Sequence, residues 1–236
     1  MSANPVGGGR DESTAGSGTS RRRWRRGLSR ATARQAPRVF LPQGYEPGYA
    51  YPLVVWLPGA RRFDLGRAMQ RLSTRNYLAV EPAFAAGDDV HAVEEAVFDA
   101  IHEAVARGNV HPDRVFLVGR GAGGTDAFRI ACRHAERFAG MVSLGGAFPH
   151  AEALFARLAA VRRLPFLLCC RRDAEARLVA TTATTLRLFH AAGAQLSMRI
   201  YEEPNDLAPA ILRDVNRWLM EGICGPTADV GADCPA

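Results

Sequence analysis

Val115-Phe116-Leu117-Val118 runs straight into Gly119-Arg120-Gly121-Ala122-Gly123-Gly124 and then into a helical pattern. Four apolar residues in a row, two of them β-branched, read as a strand buried on both faces. The glycines that follow mark a tight turn. Such a turn holds its central residue, Gly121, in a strained backbone conformation, and glycine on either side lets the strand and the next helix approach closely. Strand, sharp turn and helix in that order place Gly121 at the carboxyl end of a sheet strand. In open α/β sheets that end is where ligands bind.

The chain on either side repeats the same grammar. Short apolar runs predict strands at 38–41, 53–57, 77–80, 114–118, 141–144, 166–170 and 195–200. Helical patterns lie between them near 64–75, 90–107, 124–135, 176–192 and 208–220. In the second of these Val90, Val93, Val97, Ile101 and Val105 recur every three or four residues and make one apolar face. Asp206 stands where it would cap the last helix. Strands alternating with helices predict an α/β fold, a mostly parallel sheet with helices on both faces and no large lid. The domain is expected over residues 37–222, with a 223–236 C-terminal tail.

Residues 1–36 differ in kind. The first twenty are rich in Gly, Ser and Thr and carry almost nothing to bury, so they read as disordered. Arg21-Arg22-Arg23-Trp24-Arg25-Arg26 follows, but no apolar segment comes after it, so the twin-arginine export reading fails. The tail holds eight arginines against Asp11 and Glu12, while the rest of the chain has 22 arginines and 22 acidic residues. The whole net charge of +6 therefore belongs to the tail. An arm of that kind suits nucleic acid or an anionic membrane surface, or is simply solvated. No stretch of about 18 apolar residues exists to span a bilayer, and a cytoplasmic location is expected. The five cysteines form no C-x-x-C pair and have no histidine at metal-ligand spacing. They read as buried thiols, with a Cys224–Cys234 bridge as the oxidising alternative. No cofactor and no metal are expected.

Several segments together resemble the α/β-hydrolase superfamily, in particular its compact carboxylesterase, lysophospholipase and polyhydroxybutyrate-depolymerase-like branch. Gly119-Arg120-Gly121-Ala122-Gly123 is similar to the nucleophile elbow G-x-S-x-G. Phe40-Leu41-Pro42-Gln43-Gly44-Tyr45 followed by Tyr51-Pro52-Leu53-Val54-Val55-Trp56-Leu57-Pro58-Gly59 resembles the opening strands. His111-Pro112-Asp113-Arg114-Val115 resembles the lead into the elbow strand, and 136–146 the segment after the elbow helix. The resemblance covers roughly residues 37–222.

It implies a catalytic triad and an oxyanion loop, and this sequence departs from both. The position of the serine is Gly121, with no side chain. The acid aligns with Asp173 and is retained. Counting from Tyr201 to the family's histidine reaches Asp206. The His-Gly pair that opens the oxyanion loop reads Pro58-Gly59. A serine attacks because a base removes its proton and a third group orients that base, so glycine and aspartate leave no nucleophile and a poor base. The backbone around Gly59, Ala60 and Ala122 would survive as an oxyanion-like site.

The resulting expectation is a non-catalytic, esterase-like binding or interaction module, its vestigial cleft open to an anionic small molecule or a protein. The rival is a carboxylic ester hydrolase that uses relocated residues. For it Cys169 and Cys170 end the strand before the acid, and His150 is the histidine on the ligand side of the sheet. Asp173 and Asp206, with no third ligand beside them, read as a leftover acid and a helix cap. Ser143 reads as core. Arg61, Arg62, Arg120, Arg171 and Arg172 cluster at strand ends; turned inward they would make a cationic pocket floor, but in so arginine-rich a chain an outward, solvated direction is favoured.

Overall fold

In the computed structural model, residues 36–59, 63–84, 88–172, 176–203 and 205–225 are described. Seven strands form one sheet: β1 (Arg38–Phe40), β2 (Tyr51–Leu57), β3 (Leu78–Glu81), β4 (Val110–Arg120), β5 (Gly140–Leu144), β6 (Phe166–Arg171) and β7 (Leu196–Tyr201). Their spatial order is β1-β3-β2-β4-β5-β6-β7. β1 runs antiparallel to β3, with Arg38 opposite Glu81 and ion-paired to it. Every other neighbouring pair is parallel.

Parallel neighbours need crossovers, and helices supply them. They are α1 (Leu65–Leu72), α2 (Val90–Arg107), α3 (Ala122–Arg133), α4 (Leu158–Val161), α5 (Ala176–Ala192) and α6 (Pro209–Cys224). Because side chains alternate along a strand, the sheet feeds two cores. Val54, Trp56, Phe116, Val118, Val142 and Leu144 meet the buried faces of α1 and α6, among them Met69, Leu212 and Leu219. Leu53, Val55 and Leu57, one residue out of phase, are buried too, on the side covered by α2 and α3. There Phe128 of α3, Phe166 of β6 and Phe189 of α5 pack ring against ring with Phe148.

The expected helices 90–107 and 176–192 appear with those bounds. β4 begins earlier than the expected 114, because Val110 pairs with Tyr51 across a register shift in β2. The expectation for Asp206 is corrected: α6 is preceded by Ala208, which makes no side-chain cap, and Pro209 opens the helix. Asp206 lies two residues before that cap position, too far back to serve as the N-cap. Cys132 and Cys169 are buried free thiols, but Cys224 is disulfide-bonded. It lies exposed at the end of α6, away from either core. Among the described residues no helix is long and apolar enough to cross a membrane.

Candidate functional site

The sheet delivers Gly121 to the turn between β4 and α3 with φ 53° and ψ −122°, a region that costs any residue with a Cβ. Its N–H donates to the Leu144 carbonyl at 2.9 Å, and its carbonyl accepts from Gly124 at 2.9 Å. The turn is this tight because its neighbours are bare backbone. A Cβ on Gly119 would collide with the Gly123 carbonyl, and one on Gly123 with the carbonyl of Leu57. At Gly121 a Cβ would meet nothing within 4 Å. Glycine is therefore sterically required at 119 and 123, whereas at 121 only the backbone angle favours it.

Ser143, expected in the core, is fully buried. Its Oγ donates to the Gly146 carbonyl at 2.9 Å and accepts from the Gly146 N–H at 3.2 Å. It staples the turn after β5 beneath α3. The first helical residue, Ala122, follows Gly121 directly, and the positive-φ Gly59 lies against the backbone of Arg120 and Gly123. Ala60, Arg61, Arg62 and Asp173 lie outside the described residues.

Asp206 sits in the loop between β7 and α6, against the turn at Gly145. One carboxylate oxygen is 3.5 Å from Nε of Arg120 and the other 3.9 Å from Nε of Arg171. The outward direction expected for these two arginines is thus corrected: they end β4 and β6, on either side of β5, and turn toward the same carboxylate. Their side chains are 12% and 30% exposed. Arg172 does point outward, 72% exposed and paired with Glu202. What brings Arg120, Arg171 and Asp206 together is the strand order, and no spacing in the sequence announces it. The one available signal was that Arg120 and Arg171 both follow apolar runs at the ligand-bearing edge.

The relocated residues of the rival reading fare differently. Burial pushes the Cys169 thiol up to about 12 and raises that of Cys170 as well. A thiolate is the nucleophilic form, so both cysteines are held in their inert state. Cys169 belongs to the core beneath α6, not to an open cleft. His150 is committed to α5, with Nε2 3.0 Å from the Thr185 hydroxyl and 3.3 Å from the Thr181 carbonyl. Among the described residues no group of three His, Cys, Asp or Glu side chains converges as a metal site would need.

No protein-family model matches the chain, and no curated protein matches it in sequence. Solved structures do match. A ferulic acid esterase superposes with a TM-score of 0.61 at 16% identity, over 78% of this chain and 91% of that one. A thermostable esterase gives 0.58 at 17% identity over 78% of this chain, which spans only 58% of that protein's length. The S-formylglutathione hydrolase FrmB from Staphylococcus aureus gives 0.56 at 14% identity, over 79% of this chain and 92% of that one. The chain has the α/β-hydrolase fold. That fold is what it shares with the esterases and the hydrolase just named.

Proposed function

We propose that this chain is a non-catalytic α/β-hydrolase-fold protein whose cleft binds instead of hydrolysing. The observation that carries the reading is Gly121: it stands in the positive-φ turn between β4 and α3 with open space where a nucleophile's side chain would project. Loss of the serine alone in a catalytic triad costs on the order of a million-fold in kcat. Asp206 adds to this. At the position the resemblance gives to histidine stands a carboxylate beside two guanidiniums and not the imidazole that a general base most often supplies. The backbone of the oxyanion-like region, at Gly59 and Ala122 and with Ala60 by resemblance, is available to hold an anionic group. Binding outlives catalysis in such a site.

Ester hydrolysis through relocated residues is opposed by the burial of Cys169 and Cys170. Selective labelling of either cysteine by an active-site-directed electrophile would revive that reading.

The test is a panel of p-nitrophenyl esters offered to the wild type and to the double variant Gly121→Ser, Asp206→His. The expected outcome is a silent wild type and slow but measurable turnover by the double variant. Wild-type hydrolysis well above background, removed by one change in the cleft, would overturn the proposal.

A further inference from the structure

Arg129 and Arg120 are both sheltered but differ in how their donors are used. Arg129 on α3 is closely engaged. It reaches Glu152 through Nε at 2.8 Å and Nη2 at 2.7 Å, and Asp126 through Nη1 at 2.7 Å, with its side chain 22% exposed. Arg120 is more deeply sheltered, at 12% exposed, yet its carboxylate neighbour Asp206 stands 3.5 Å from Nε. That is well outside the range of a charge-assisted hydrogen bond, about 2.7–2.9 Å. A guanidinium has five N–H donors and cannot shed its proton. Among the described residues the nearest acceptor to those of Arg120 is that carboxylate at 3.5 Å.

The surroundings suit an anion. Arg171 approaches the same carboxylate from β6, with Nε 3.9 Å from its second oxygen. Arg120 directly precedes Gly121, where an added Cβ would meet no atom within 4 Å beyond its own chain neighbours. Asp206 thus lies loosely between two guanidiniums, at distances that satisfy charge but not hydrogen bonding.

We propose that Arg120, assisted by Arg171, anchors the oxyanion of a small-molecule ligand, a carboxylate or a phosphate, and that Asp206 is the internal anion with which that group competes. The inference rests on the reading of this cleft as a binding site and names its recognition chemistry. Planar guanidinium matches either oxyanion in a two-pronged contact. Because Asp206 carries the same charge as the ligand, it tunes affinity downward.

The opposite signs of two substitutions test this. Inorganic phosphate and acetate are titrated separately into the full-length chain at low ionic strength, where screening is weak, and binding is followed by calorimetry. At least one of the two anions should bind the wild type, and the stronger one identifies the oxyanion class. Arg120→Gln should weaken that binding about tenfold or more, and Asp206→Asn should tighten it several-fold. Arg172→Gln, at the exposed pair with Glu202, should leave it unchanged. Near-UV circular dichroism checks that each variant is folded; should Arg120→Gln not fold, Asp206→Asn decides alone. Equal affinity in wild type and Arg120→Gln overturns the proposal. So does weakening by Asp206→Asn, or no binding of either anion to the wild type and Asp206→Asn. None of these outcomes depends on ester hydrolysis, so the non-catalytic reading stands or falls separately in the p-nitrophenyl assay.

Discussion

The turn between β4 and α3 and the loop between β7 and α6 come together at the Arg120–Asp206 pair, but different physics holds each in place. In the turn, backbone meets backbone: Gly119, Gly123 and the Leu57 carbonyl are packed so closely that no Cβ fits at either glycine. In the loop, Asp206 is placed by two ion pairs longer than hydrogen bonds, and α6 behind it is anchored by buried Leu212, Val215 and Leu219. Steric constraint admits one residue type. Charge attraction admits many. A fold can therefore fix the backbone of a turn while leaving the charged side chains around it free to vary.

The comparison breaks if steric constraint proves weak. Gly123→Ala, which forces a methyl group against the Leu57 carbonyl, is expected to cost more than about 3 kcal/mol or to prevent folding, read from urea unfolding midpoints. Gly121→Ala, two residues away, meets no atom beyond its chain neighbours and should cost only the penalty of its sparsely populated backbone conformation, about 1–3 kcal/mol. If the two variants melt alike, the division between required and permitted glycine is wrong.

A smaller effect sharpens the electrostatic side. On α2, away from the cleft, Glu94 accepts from His134 Nε2 at 2.6 Å and pairs with Arg133 at 3.3 Å. The His134 hydrogen bond, opposed by burial, holds this carboxyl below its ordinary value. A depressed acid stabilises the fold above its unfolded value, about 4.3, and that stability is lost as pH falls through the folded value. Unfolding midpoints should therefore drop on acidification below about pH 4.3, and Glu94→Gln should lose about 1 kcal/mol at neutral pH together with that part of the pH dependence. An unchanged acid limb in the variant would show that the hydrogen-bonded pair contributes no more than an exposed one.

Much of this architecture was legible in the sequence because it depends on local period. The repeat of Val93, Val97 and Ile101 shows which face of α2 is buried, and the uninterrupted run in β2 shows a strand covered on both sides. The elbow was legible for a related reason: Gly119, Gly121 and Gly123 are neighbours in the chain as well as in space. The short helical segment at Leu154–Val161 was not foreseen, since it spans too few residues to display a period. The capping role expected of Asp206 failed because α6 begins at Pro209 with Ala208 at its N-cap, two residues beyond Asp206.

By itself the sequence determined the strands, the five longer helices, a mostly parallel sheet and the bare turn at Gly121, since these follow from hydrophobic period and from the conformations that glycine alone adopts readily. Only the tertiary structure decided where the long side chains go. Arg120 and Arg171 face inward, Arg172 faces solvent, Cys169 is sealed beneath α6 and His150 is taken by α5. An arginine has several rotatable bonds and one charge. Its direction is set by whichever carboxylate the folded sheet brings within reach, and that carboxylate lies far away in the chain.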